Sequence, residues 1–160
     1  MNCKAQALFF VFFISSSIAA QNLDSLRNIY PMAGISDDKA LNVYGQTLQM
    51  CCLDPITGYY RNGQCLTDAS DHGTHIVCAR VTDEFLTYSR QQGNDLITPL
   101  PSHNFPGLKH GDQWCLCISR WYEAHKSGVA PPIDLNATNI KALEYVPLEI
   151  LEAYSITKLN

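Results

Sequence analysis

Residues 113–121 read QWCLCISRW, two cysteines one residue apart and framed by Trp114 and Trp121. Trp114 to Ile118 has the short apolar composition of a β-strand. SRWYEAHKS, beginning near Ser119, has helical composition, and Gly128 supplies its stop. Side chains alternate across a strand, so Cys115 and Cys117 share one face while Trp114, Leu116 and Ile118 share the other. The large apolar face reads as core. The thiol face must then be covered by a helix or a long loop. Adjacent cysteines need a strained peptide unit to bond, and strand residues two apart sit at the long end of disulfide reach. Bridges between distant cysteines are therefore expected, rather than bridges within Cys51-Cys52 or within Cys115 and Cys117.

Upstream, HIVCARV (75–81) is β-branched and short, a second strand. Thr82 offers an N-cap, Asp83 and Glu84 follow in the first turn, and Gly93 ends the segment, which marks the firmest helix in the chain. DPITGYYRNGQC (54–65) is turn chemistry: Asp54-Pro55 and Asn62-Gly63 mark turns, with Tyr59 to Arg61 as a candidate short strand. Residues 94–113 hold three prolines and two glycines, a long irregular stretch of the kind that often carries function. VAPPIDL reads as extended, Thr138 as a cap for NIKALEY, and Pro147 as the first position of a last helix, PLEILEAYSI. Short strands mixed with short helices, without a βαβ rhythm, point to an α+β domain with long irregular loops.

The chain has 160 residues, enough for one core; 46% are hydrophobic and 16% charged. Eleven Lys and Arg stand against 15 Asp and Glu, and the basic residues do not cluster. A nucleic-acid binder carries a basic stripe, so that class is set aside. Residues 1–20 have one lysine, an apolar run from Ala5 and small residues ending at Ala20, the pattern of a secretory signal peptide. Cleavage near Ala20 is expected, with export and no membrane span in the mature chain. Residues 21–40 read as a leader and 41–156 as one globular domain. The mature chain keeps Cys51, Cys52, Cys65, Cys78, Cys115 and Cys117, an even count that suits disulfides in an oxidising compartment.

The segments DPITGYYRNGQC, HIVCARVTDEFLTYSRQQGNDLITPLP, FPGLKHGDQWCLCISRW, GVAPPIDLNAT and ALEYVPLEIL together resemble the domain of unknown function 2237 family, over roughly residues 42 to 155. The resemblance implies a small two-layer α/β arrangement and carries no established activity. It also implies that all six mature cysteines, with His75, Arg61, Asn94, Asp95, Asp112, Trp114, Arg120 and Trp121, stand on motif positions, whereas His72 departs from the pattern. Relatives without an export signal would hold the same cysteines reduced, as buried thiols, metal ligands or redox groups.

Three function classes follow. The first is an exported domain that binds a small polar or anionic ligand. Its pocket is rimmed by the 94–113 loop, with Trp114 or Trp121 as wall and Arg61 or Arg120 orienting the ligand, and Asn94, Asp95 and Asp112 nearby. The second is a thiol-based redox or metal-dependent enzyme built on the six cysteines and His75. Zinc or another thiophilic metal is the cofactor that such a set would take, although the C-x₂-C knuckle of strong zinc signatures is missing. His75-x-x-Cys78 on a strand would point to opposite faces, against joint ligation. Cys117, just before a helix and beside Arg120, suits a reactive thiolate, and a Cys–His nucleophile pair with His75 or His103 as base belongs to the same class. The third is a disulfide-tied structural or interaction domain. Asn136-Ala137-Thr138 is a glycosylation sequon in addition.

Overall fold

A computed structural model gives the fold and describes residues 40–156. The expected signal peptide and nearly all of the expected leader lie outside the described residues.

β1 (His75–Arg80) and β2 (Gln113–Cys117) form a two-stranded antiparallel sheet. Residues 76–79 of β1 and 113–116 of β2 are buried, and the ends at His75, Arg80 and Cys117 are half-buried. Loop segments extend the sheet on each side. Along β1, the Arg80 amide donates to Pro132 O at 2.8 Å, and the Asp134 and Asn139 amides donate to Cys78 O and Ile76 O. Along β2, the Cys115 amide donates to the Thr57 hydroxyl at 2.8 Å. These bonds satisfy edges that a two-stranded sheet would otherwise leave open.

α1 (Asp83–Gln91) follows β1 after Val81 and the capping Thr82. Thr82 Oγ1 accepts from the Phe85 amide at 3.1 Å, and Asp83 and Glu84 lie in the first turn where the helix dipole favours them. α2 (Ile118–Lys126) starts directly at the end of β2, with Cys117 as its N-cap residue. The fully buried Trp121 of α2 donates from Nε1 to Pro131 O at 3.0 Å and meets Tyr154 edge-on. α3 (Leu148–Ala153) begins after Pro147 and buries Leu151. Short 3₁₀ turns occupy Pro101–His103 and Ile140–Glu144. The arrangement is α+β, as the alternation of short elements indicates. Among the described residues no helix is long and apolar enough to cross a membrane.

The two sheet faces differ as strand alternation requires. Val77, Ala79, Trp114 and Leu116 join Phe85, Ile118, Trp121, Ile133 and Leu151 in the main core. Cys78 and Cys115 face the other way, in a second buried cluster with Cys51, Cys65 and Ala137. The cover on the thiol face is therefore the 51–65 loop, not the 94–113 loop. That longer loop turns back on itself (Leu108 N donates to Leu96 O) and lays Phe105 against Trp114 on the core side.

Two local expectations need correcting. Tyr59 to Arg61 is not a strand: Gly58, Arg61 and Gly63 have φ of 91°, 54° and 85°, and the Arg61 amide closes a turn onto Gly58 O. Thr138 does not cap the 3₁₀ turn; Asn139 does, accepting from the Lys141 amide. Thr138 is wholly buried and links the Cys78 amide to Asp134 O through its hydroxyl.

Candidate functional site

Five of the six cysteines are disulfide-bonded, all but Cys117. Cys51 bonds Cys78 and Cys65 bonds Cys115, bridges separated by 27 and 50 residues. Both are distant pairs, as the strained alternatives predicted. Each ties the 51–65 loop to one strand of the sheet. The loop is positioned by more than sulfur: Gly63 O accepts from both the Cys51 and Cys52 amides. A Cβ at Gly63 would lie 2.6 Å from the Leu53 and Met50 side chains, so the turn closes only around glycine. Cys52 is buried beside Cys51.

Cys117 carries a free thiol and is half-buried. His75 is its partner in the strand register. Regular alternation from Val77 would send the His75 side chain to the core face. A β-bulge prevents this. Between His75 and Val77 the first strand advances two residues while β2 advances one, from Cys117 to Leu116. Ile76 is the extra residue, and its amide turns back to Thr74 O at 3.0 Å. The bulge returns His75 to the thiol face, opposite Cys117.

Asp71 completes the group. Its Oδ1 is 2.6 Å from His75 Nδ1, and its Oδ2 accepts from the His75 amide at 2.7 Å. The Asp71 side chain is fully buried, whereas a third of the His75 side chain remains exposed. With Nδ1 facing the carboxylate, the other ring nitrogen is left for the sulfur. The Cys117 hydrogen bond is the largest influence on His75. With the charge of Cys117 and the Asp71 contacts it outweighs desolvation, and the imidazole pKa is raised to about 9. Burial pushes the Asp71 carboxyl upward, but the His75 amide, the His75 ring and the Thr67 hydroxyl hold it below its ordinary value.

Neighbouring residues hold this geometry. Thr74 has φ of 51°, a strained conformation for a β-branched residue. Its carbonyl accepts from both the Ile76 and Ile118 amides, which joins the bulge to the first residue of α2. Gly73 lies under the imidazole: a Cβ there would come within 2.4 Å of His75 Cε1. Tyr59 stacks on the ring at 6.2 Å between centroids and donates its hydroxyl to Ser70 O. The first amides of α2 after Ile118 have no intrahelical acceptor and point toward the Cys117 end, as at any helix N-terminus.

The residues expected around a loop-rimmed pocket are mostly engaged one by one. Asp95 accepts from the Ile97 and Thr98 amides and lies 3.4 Å from Arg90. Asn94 donates to the Ser89 hydroxyl, and Asp112 accepts from the Lys109 amide. Arg120 pairs with Glu123 at 3.0 Å, and Trp121 is sealed in the core. Arg61 and Trp114 do come together, the guanidinium 4.8 Å from the ring centroid. A depression of about 420 Å³ runs along α1 between Asp83, Glu84, Thr87, Tyr88, Gln91 and Val129, and none of the candidate residues lines it.

Sequence reasoning missed Asp71. It sits in TDASDHGTH, which reads as a polar turn. The available signal is an aspartate four residues before a histidine with a glycine between them, spacing that lets the turn fold the carboxylate back onto the ring. Three sulfurs of the paired cysteines, Cys51, Cys65 and Cys78, lie within 4.8 Å of one another, a separation within reach of a metal ion. All three are in disulfides.

No curated protein matches the chain. Residues 41–155 match a family model described as "Uncharacterized protein conserved in bacteria", domain of unknown function 2237, and the chain belongs to that family.

Proposed function

We propose that this protein is a thiol-dependent acyl-transfer enzyme, with Cys117 as nucleophile, His75 as proton carrier and Asp71 as the group that orients the imidazole. The observation that carries the reading is the convergence of the three side chains, with Asp71 Oδ1 2.6 Å from His75 Nδ1 and Cys117 directly opposite His75 in the strand register. This is the nucleophile, base and orienting group required for covalent catalysis.

The chemistry follows from the placement. The Cys117 sulfur attacks a carbonyl carbon, and the proton of its thiol resides on His75. The helix N-terminus favours the negative charge that develops on the carbonyl oxygen. The bond from carbon to the leaving group breaks, and His75 returns the proton to that group. Water then attacks the thioester while His75 takes its proton, and the carbon–sulfur bond breaks to restore the thiol. His75 retains a proton through neutral pH, which suits the donor role. Asp71 keeps the ring in one orientation and offsets its charge.

The ligand-binding reading draws on the single pairing of Arg61 with Trp114. The thiol reading is preferred because it unites three groups and accounts for the bulge, the strained Thr74 and the close approach at Gly73. Export through the secretory pathway remains part of the proposal, supported by the two bridges, which persist in oxidising compartments.

The test is reaction with an activated phenyl acetate, read as released phenolate and as acyl mass on the tryptic peptide holding residue 117. The wild type should give a burst of one equivalent with the acyl group on Cys117. Cys117→Ser and His75→Gln should each lose the burst by at least about 100-fold. A wild-type rate equal to that of the His75→Gln protein would overturn the proposal.

A further inference from the structure

We infer that Cys51, Cys65, Cys78 and Cys115 form a closed four-thiolate site for a divalent d¹⁰ cation, zinc or cadmium, when both bridges are reduced. The inference is independent of the chemistry proposed at Cys117.

Two structural disulfides have no need to touch. Here they do: the sulfurs of Cys51, Cys65 and Cys78, drawn from both bridges, lie within 4.8 Å of one another, and Cys115 is bonded to Cys65. Tetrahedral zinc holds sulfur at about 2.3 Å, which separates neighbouring sulfurs by about 3.8 Å. Opening the two bonds and relaxing the sulfurs by an ångström or two reaches that arrangement by side-chain rotation.

The backbone that presents the ligands does not depend on the bridges. The Cys51 amide is held by Gly63 O at 2.8 Å, the Cys115 amide by Thr57 Oγ1 at 2.8 Å and the Cys78 amide by Thr138 Oγ1 at 3.2 Å. The Cys65 carbonyl accepts from Asn139 Nδ2 at 3.2 Å. The four ligands thus come from β1, β2 and both ends of one loop, all fixed by separate hydrogen bonds. Gln113 supplies a donor to sulfur, with Nε2 3.7 Å from Cys78 Sγ, as outer-shell groups do at metal thiolates. The surroundings are otherwise apolar, with Ala137 closing the cluster.

Burial decides the type of site. The four cysteines are between 0% and 5% exposed, so no coordination position is open to a substrate. The metal would fasten the 51–65 loop to the sheet, the task the bridges perform when oxidised. Reduction of each bridge takes two electrons and two protons, which a dithiol supplies as it closes to its own disulfide. The cation then displaces the thiol protons to solvent.

The full-length protein is reduced with a phosphine and titrated with cadmium, read by the sulfur-to-cadmium charge-transfer absorption and by far-ultraviolet circular dichroism. One equivalent should saturate the band with the native dichroism retained, Cys117→Ser should behave as wild type, and the oxidised protein should show no band. Cys65→Ser and Cys78→Ser should weaken binding by at least about 100-fold, and Gln113→Ala by about 10-fold with the stoichiometry kept. A reduced protein without the band, a band unchanged in both serine variants, or a reduced chain that stays unfolded with cadmium present would each overturn the inference.

Discussion

Replacing Cys117 by alanine should change the titration of a different residue. In the folded protein His75 has its pKa raised from 6.5 to about 9, and the Cys117 hydrogen bond is the largest cause. Loss of that bond should bring the His75 midpoint back toward the ordinary value by at least about one pH unit. The same proton appears in stability. His75 binds it more tightly folded than unfolded. The stabilisation is therefore complete below about pH 6.5 and is lost as pH rises through about 9. The gap between the two values, at about 1.4 kcal/mol per pH unit, sets a ceiling of about 3 kcal/mol. A third of the His75 side chain is exposed, and solvent screening reduces this to about 1–2 kcal/mol. Two assays check the reasoning. Imidazole resonances of the wild type and Cys117→Ala give the midpoints. Urea unfolding with the bridges intact, at pH 6.5 and pH 10, gives the free energies. His75→Gln serves as background for other titrating groups, and its pH slope should be flatter by about 1–2 kcal/mol over that interval. A wild-type His75 midpoint near 6.5, or one that Cys117→Ala leaves in place, would refute the argument.

Further outcomes rest on single contacts. Gly73→Ala places a methyl against the His75 ring, so the protein should lose about 1–3 kcal/mol of stability in urea, and alkylation of Cys117 should fall to the His75→Gln rate. Replacing Cys65 and Cys115 together by serine opens a loop closed across 50 residues and should cost about 4 kcal/mol; the bridge across 27 residues should be worth about 3.5 kcal/mol. Thermal unfolding of the oxidised variants reads both, and a Cys65 and Cys115 double variant as stable as wild type would contradict the role given to that bridge. Thr82→Ala removes the hydroxyl that accepts from the Phe85 amide and should lower stability by about 1 kcal/mol with no effect on Cys117 reactivity.

Much of the architecture was legible because it depends on local rules. QWCLCISRW gives a strand whose thiols face away from Trp114 and Leu116, then a helix, and the structure has both. Thr82, Asp83 and Glu84 announce α1. The exclusion of bonds between neighbouring cysteines leads to distant bridges. The candidate site was legible only in parts. His75 and Cys117 both stand out as residue types, but their meeting depends on an extra residue in one strand. Periodicity has no mark for a bulge when Ile76 and Val77 are both apolar and both buried. Asp71 was hidden for a related reason: an aspartate among Asp, Ser and Gly looks like turn chemistry, and only the folded turn turns its carboxylate inward. Tyr59 to Arg61 failed as a strand because glycines on either side coil the segment.

The bulge at Ile76 has a consequence for how such a site is gained and lost. Cys117, His75 and Asp71 meet because β1 is one residue longer than its partner at that point. Removing Ile76 while leaving all three side chains unchanged would swing the imidazole to the opposite face. Reactivity at Cys117 is then a property of chain length as much as of composition. A scan of substitutions would assign the function to three residues, whereas a scan of single deletions would find a fourth position, an isoleucine with no polar atom in its side chain, on which the other three depend.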